Sequence, residues 1–140
     1  MKYQSILEEG ITEYSRQRDF TGLVCWKDCK DLKLFLYSKV LPLLPKEELY
    51  NLNVQIRKAA ISITANIAEG YGRYHYQEGI QFYRISRGSI YEVKDHLISC
   101  FELGFIDKEN FELGNEMIEK AKISLNGFIK YVKKRKENAL

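Results

Sequence analysis

Residues that form turns are scarce in this sequence of 140 residues. It contains two prolines, both within residues 42–45, and nine glycines. An all-β sandwich needs turn signals between many short strands, so this composition argues against one. No apolar run approaches the roughly 20 residues that a membrane-spanning helix requires. The length suits one domain, and the shares of hydrophobic (45%) and charged (29%) residues are those of a globular chain.

Cysteine and net charge are low as well. The three cysteines are an odd number, and residues 1–20 mix acidic and basic side chains, unlike a secretory signal. We therefore expect reduced thiols and a cytoplasmic protein. A net charge of +3 does not by itself indicate a nucleic-acid partner, but residues 126–140 carry five basic residues against one acidic residue. We expect the C-terminal cations to form a mobile tail.

Apolar residues recur every three or four positions along most of the chain. This spacing predicts helices over about residues 22–41, 47–69, 77–103 and 108–134. Thr21 is a candidate N-cap of the first helix, and Gly70 and Gly72 are candidate left-handed residues that end the second. We predict an all-α, antiparallel up-down-up-down four-helix bundle over residues 21–136. An extra helical arm over residues 1–20 precedes it, and a short tail over residues 137–140 follows it.

The second of these helices carries no charged side chain between residues 59 and 68. One apolar face contains Ile56, Ala60, Ile63 and Ile67. A second apolar face is turned away from it, and a four-helix monomer buries only one side of each helix, so the second face needs another subunit. We therefore predict a homo-oligomer. The interface residues that we predict are Ile61, Ala65, Asn66, Ala68 and Glu69. If Glu69 is buried there, we expect it to pair with Arg73, Arg84 or Arg87.

Several segments make the family recognisable. They are LPKEEL at residues 44–49, QIRKAA at 55–60 and NIAEGYGR at 66–73. Over roughly residues 23–131 the chain resembles the bacterial four-helix-bundle family of ribosomal S23-like proteins, which are encoded in intervening sequences of large-subunit ribosomal RNA genes. The resemblance implies a closed ring, commonly a homopentamer, and no established enzymatic activity. The architecture is also similar to that of the accessory proteins of diversity-generating retroelements, which contact a reverse transcriptase and nucleic acid.

Motifs for catalysis and metal binding are missing. A di-iron bundle needs two Glu-x-x-His motifs, and neither histidine belongs to one. Zinc could be held by Cys25, Cys29, His96 and Cys100. The first two cysteines also continue an apolar helical stripe, which is more typical of core residues. Neither a Gly-x-Ser-x-Gly motif nor a phosphate-binding loop is present. We expect no enzymatic activity, no metal and no cofactor.

Basic and aromatic side chains alternate between residues 71 and 76. Exposed aromatic rings can stack on unpaired bases, and arginine binds phosphates. We predict that the bundle ends bind RNA or DNA. The residues that we expect to bind it are Arg57, Lys58, Arg73, Tyr74, Tyr76, Lys133, Lys134 and Arg135. Two alternatives remain open: the tyrosines form a subunit contact, or the ring is a protein-interaction scaffold for a partner such as a reverse transcriptase, with no direct nucleic-acid role.

Overall fold

The structure is a computed structural model that describes residues 19–139. This part of the chain contains four long helices and no strand. The helices are α1 (Val24–Phe35), α2 (Leu52–Gly72), α3 (Tyr76–Glu102) and α4 (Lys108–Ala139). The prediction of an all-α four-helix bundle is confirmed. The predicted N-terminal arm lies outside the described residues except for its last two.

A single apolar core runs through the centre of the bundle. Each helix contributes side chains that are fully buried, for example Leu32, Ile63, Ile90 and Leu125. These residues belong to the apolar stripes that recur every three or four positions, so each helix buries its stripe against the other three.

Contacts between neighbouring helices fix their directions and their order. Lys94 of α3 contacts Glu119 of α4, whereas Gln77 accepts a hydrogen bond from Lys136. Residue numbers therefore rise along α3 where they fall along α4, so the two helices are antiparallel. Contacts between the other neighbouring helices show that they are antiparallel as well. Around the bundle the order is α1, α2, α3, α4, and α4 packs back against α1. The α2/α3 side consequently lies opposite the α1/α4 side.

The helix starts differ from the predictions in two places. Thr21 does not cap α1: it lies inside the 3₁₀ turn Phe20–Gly22, and the N-cap residue of α1 is Leu23, whose side chain makes no capping hydrogen bond. The 3₁₀ turn is capped by Asp19, whose carboxylate accepts a hydrogen bond from the Thr21 backbone N–H at 3.2 Å. The segment predicted to begin the second helix at residue 47 forms a separate 3₁₀ turn, Lys46–Glu48, and α2 begins at Leu52.

The prediction that Gly70 and Gly72 end the second helix in a left-handed conformation is wrong. Helix α2 continues through Gly72, and the left-handed residues among those described are Tyr74 (φ 54°) and Gly104 (φ 79°). Gly70 is buried against α3, where an added Cβ would lie 2.7 Å from Cε1 of Tyr83 and 2.9 Å from Cβ of Phe82. The role of Gly70 is therefore to let α2 and α3 approach closely.

Helix α4 extends through Ala139, beyond its predicted end. Lys133, Lys134 and Arg135 thus lie on a helix, and the expectation that they form a mobile tail is corrected. The side chain of Lys136 donates to Gln77 of α3, which ties the last turns of α4 to the first turn of α3. Among the described helices, none combines the length and apolar character that a membrane crossing requires.

Candidate nucleic-acid interface

One end of the bundle brings together the last turn of α2, the first turns of α3 and the last turns of α4. They meet because α2 and α4 run antiparallel to α3. Between them lies a pocket of about 270 Å³, here called the tyrosine pocket. Its lining includes Tyr71, Tyr74, Tyr76, Tyr83, Tyr131 and Arg135. Three of the predicted nucleic-acid-binding residues, Tyr74, Tyr76 and Arg135, therefore line one cavity, although Arg135 is far from the two tyrosines in the sequence.

The short link between α2 and α3 places Tyr74 at the mouth of this pocket. Tyr74 adopts the left-handed conformation, which costs a non-glycine residue on the order of 1 kcal/mol. Its side chain is 82% exposed, and its ring meets the ring of Tyr71 edge to face at 6.0 Å between centroids. The next residue, His75, caps α3, because its Nδ1 accepts a hydrogen bond from the Glu78 backbone N–H at 3.5 Å.

Buried aromatic rings form the floor of the tyrosine pocket. Tyr83 and Phe128 are both buried and meet edge to face at 4.8 Å between centroids. Burial raises the pKa of the Tyr83 hydroxyl, and burial followed by the neighbouring Tyr74 raises the pKa of the Tyr71 hydroxyl. Both groups therefore stay neutral phenols at physiological pH, and a phenol can donate and accept hydrogen bonds.

Two arginines lie at this end of the bundle, and Arg135 is the one that lines the pocket. Arg73 forms an ion pair with Glu69 at 3.0 Å, in which both side chains are about half exposed, and its guanidinium lies 5.2 Å from the centroid of the Phe82 ring. Of the three arginines predicted as possible partners of Glu69, Arg73 forms the ion pair. Such an exposed pair contributes only about 0.3–0.5 kcal/mol, so the arginine can exchange the carboxylate for a phosphate. Arg135 lies over the ring of Tyr131, 5.9 Å from its centroid.

Lys133 and Lys134 are exposed on the same last turns of α4. The structure does not bring Arg57 and Lys58 to this end. They precede Arg73 by about four turns of α2, or roughly 24 Å along the axis. Arg57 donates to Asn53 at 2.7 Å, and its guanidinium lies 5.1 Å from the centroid of the Tyr37 ring on the α1 side.

The predicted interface residues lie on the outer side of α2. Ile61 is 53% exposed, Ala65 is exposed and Ala68 is partly buried, whereas Ile56, Ala60, Ile63 and Ile67 are buried. The side chain of Asn66 donates to the Ser62 carbonyl and hydroxyl oxygens, both at 2.8 Å, and the Ser62 hydroxyl lies 2.7 Å from that of Ser89 on α3. Helix α2 thus has one buried and one solvent-facing apolar face in the single chain.

The opposite, α1/α4 side carries a surface that the sequence reasoning missed. It is an open groove of about 790 Å³ whose lining includes Val24, Asp28, Asn115 and Ile123. Ile123 is 61% exposed, and Oδ1 of Asn115 is buried without a hydrogen-bond partner among the described residues. The signal was present in the sequence, since Ile123 is an apolar residue outside the buried stripe of its helix.

The cysteines belong to the core. Cys25, Cys29 and Cys100 are buried and free of disulfides. Burial raises the pKa of all three thiols, to about 11 for Cys100, which disfavours the thiolate that binds metals. Between residues 19 and 139, no group of three or more His, Cys, Asp or Glu side chains is placed to hold a metal ion.

The fold and this end of the molecule define an antiparallel four-helix-bundle protein with a basic, tyrosine-lined pocket. A family model described as 23S rRNA-intervening sequence protein matches residues 21–127, which is more than half of the chain. The chain therefore belongs to the 23S rRNA-intervening sequence protein family, and the resemblance stated from the sequence is confirmed. Tyr131 and Arg135 of the tyrosine pocket lie beyond the matched residues. A comparison with curated proteins finds no match.

Proposed function

We propose that this chain is a non-enzymatic, cytoplasmic, ring-forming bundle that binds RNA or DNA through the end that holds the tyrosine pocket. The observation that carries the proposal is the convergence of Tyr74, Tyr76 and Arg135 on one cavity. The description of the family names 23S rRNA, so RNA is tested beside DNA.

The charge around the pocket supports a polyanionic ligand. Arg73 flanks the pocket on the α2 side, and the α4 side carries Lys133, Lys134, Arg135 and Lys136. Against these cations stand Glu69, which Arg73 pairs, Glu78 in the first turn of α3, and Glu137 near the end of α4. Each phosphate that such cations neutralise releases condensed counterions, so binding should weaken as salt rises.

Apolar side chains exposed on different sides of the bundle support the ring. Ile61 is exposed on α2 and Ile85 on α3, and Ile123 is exposed in the α1/α4 groove. Contacts between two different surfaces of identical subunits close into rings when the rotation allows it. A neighbouring subunit in the groove would also supply a donor for the orphaned Oδ1 of Asn115. The pentamer is the ring size that the family resemblance implies.

Ring formation would strengthen nucleic-acid binding. Each subunit repeats the tyrosine pocket and its cations, and linked weak sites raise the effective concentration for every contact after the first. A modest net charge per chain can therefore suffice for binding.

Charge reversal at Arg73 tests the proposal. We expect Arg73→Glu to weaken binding of a structured RNA at least about tenfold and to flatten its salt dependence between about 50 and 200 mM salt, because phosphate contacts are lost. Fluorescence anisotropy with labelled RNA and single-stranded DNA measures both. Arg57→Glu is the matched control, since it makes the same change on the same helix far from the pocket. An affinity of the unaltered protein no tighter than millimolar at the lower salt would refute nucleic-acid binding.

The alternative function is a scaffold for a protein partner such as a reverse transcriptase. The observation that favours it is the apolar surface at the other end of the bundle, where Leu103 is exposed and the partly exposed ring of Phe101 stacks on Phe111 at 4.4 Å. Co-purification of a reverse transcriptase with the Arg73→Glu variant, combined with no RNA affinity of the unaltered protein, would favour the scaffold.

A further inference from the structure

We propose that the tyrosine pocket receives one unstacked nucleobase, so that the protein prefers single-stranded segments to duplexes. The inference rests on the proposed function, because it assumes that this end of the bundle meets nucleic acid. It adds the form of the ligand and the atoms that recognise it.

The size of the pocket suits a base. At about 270 Å³ it falls just below the range of roughly 300–1,000 Å³ that drug-sized ligands occupy. A single planar heterocycle fits such a cavity, whereas a base pair in a stacked duplex does not enter a cleft between packed helices.

The walls of the pocket suit the faces and the edges of a base. The rings of Tyr71 and Tyr74 meet at 67°, and those of Tyr83 and Phe128 meet at 61°, so neither pair is a parallel stack. The mostly exposed ring of Tyr74 can therefore cover the face of an incoming base. Phenol hydroxyls in the lining can pair with the edge of the base, since each both donates and accepts.

A cation in the lining can hold the phosphate of an inserted nucleotide. Arg135 lines the pocket from α4, whereas Arg73 lies outside the lining, over Phe82 and beside Glu69, at the start of the link that carries Tyr74. A base inserted into the pocket would bring its own phosphate to Arg135, and Arg73 could bind a phosphate further along the strand. Arginine binds phosphate through paired N–H donors, which holds the strand while the base enters.

The backbone at Tyr74 supplies independent support. Few non-glycine residues adopt positive φ, and Asn or Gly would suit this turn better than a tyrosine. Strain of this kind accumulates at ligand sites, where a side chain is needed at a fixed place. Here the strained residue holds a large aromatic ring at the mouth of a cavity.

A duplex presents no unstacked base that could enter the pocket. Bases in a double helix are stacked and paired, and extracting one costs several stacking contacts, whereas loops and single strands present unstacked bases. Preference for single strands is therefore the expected signature of base insertion, in contrast to binding by charge alone.

The test compares Tyr74→Asn with Tyr50→Asn. Asn tolerates the left-handed conformation, and Tyr50 is a matched control because it is 85% exposed in the turn before α2, at the other end of the bundle. Four labelled probes of equal length are used: an RNA strand, the same sequence as DNA, an RNA duplex and an abasic deoxyribose-phosphate strand. We expect Tyr74→Asn to weaken binding of the RNA and DNA strands about fivefold or more, with the duplex and abasic probes unchanged. Tyr50→Asn should leave all four unchanged.

The possible results separate the two proposals. Equal affinity of the unaltered protein for the strand, duplex and abasic probes, with no effect of Tyr74→Asn, would overturn base insertion and leave nucleic-acid binding intact. No binding of any probe would overturn both. Thermal unfolding of each variant identifies a folding defect. If Tyr74→Asn is unstable, Tyr131→Leu tests the lining that α4 contributes to the same pocket, with the same expected results. A loss confined to RNA or to DNA would identify which strand is the ligand.

Discussion

Asp28 shows how a single residue links burial to pH. Its side chain is only 11% exposed on α1, and burial raises the pKa of its carboxyl group, although the ammonium group of Lys120 at 3.8 Å acts in the opposite direction. A carboxyl group with a raised pKa in the folded state favours folding when it is protonated. Its contribution is complete below the pKa of the unfolded chain and is lost as the pH rises through the folded pKa.

We therefore expect Asp28→Asn to raise the free energy of unfolding at pH 7, because it removes the cost of a poorly hydrated carboxylate. The gain should shrink as the pH falls through the raised pKa of Asp28 in the folded chain, and it should be absent below about 4, near the unfolded pKa of aspartate. Urea unfolding at several pH values and one protein concentration measures this difference in the free energy of unfolding. The control is Asp31→Asn, because Asp31 is an exposed residue on the same helix. Equal or lower stability of Asp28→Asn at pH 7 would contradict the expectation.

At the scale of the helices, the close approach of α2 and α3 depends on Gly70. We expect Gly70→Ala to destabilise the protein by about 1–3 kcal/mol, because the added methyl group meets Tyr83, Phe82 and the Gly79 carbonyl oxygen, at 3.0 Å. Thermal or urea unfolding measures the loss. Gly72→Ala is the matched control, since its added Cβ meets no atom of the neighbouring helices within 4 Å and alanine favours a helix by up to about 1 kcal/mol. Equal stabilities of the two variants would refute a packing role for Gly70.

The helices were largely predictable because their apolar period is a local property of the sequence. The ends of the helices were less predictable. Gly70 and Gly72 look like helix terminators when only local rules are applied, and only the packing of α3 reveals that Gly70 serves a close contact. Likewise, Pro45 and the acidic residues after it resemble a helix entry, but they form a separate turn before α2.

The types of residue in the candidate site could be predicted from the sequence, but which residues come together in the pocket could not. Tyr74 and Tyr76 share a short segment, whereas Arg135 joins them only through the register between α3 and α4. Arg57 was predicted to bind nucleic acid together with Arg73, but the length of α2 separates the two residues. The floor of the pocket could not be predicted, because Tyr83 and Phe128 follow the apolar pattern of ordinary core residues in their helices.

At the scale of the whole molecule, we propose that the outer face of α2 is an interface between copies of the chain. We expect light scattering to give a mass several times 16.5 kDa for the unaltered protein, and Ala65→Glu to reduce it to the mass of one chain. The reason is that a carboxylate buried in an apolar contact would lack a partner. Asn138→Glu adds the same charge at the exposed end of α4 and should leave the mass unchanged. A concentration-independent single chain in the unaltered protein would refute the ring.

Exposed apolar side chains on separate sides of the bundle have a geometric consequence for the tyrosine pockets. If contacts pass from the α2/α3 side of one protomer to the α1/α4 side of the next, rotational symmetry sets every pocket at the same height around one rim. A flexible strand could then thread successive cavities at regular intervals. The number of nucleotides bound by the ring would be a multiple of the number bound by one subunit. The number of subunits in the ring would then set the length of single strand that the assembly covers.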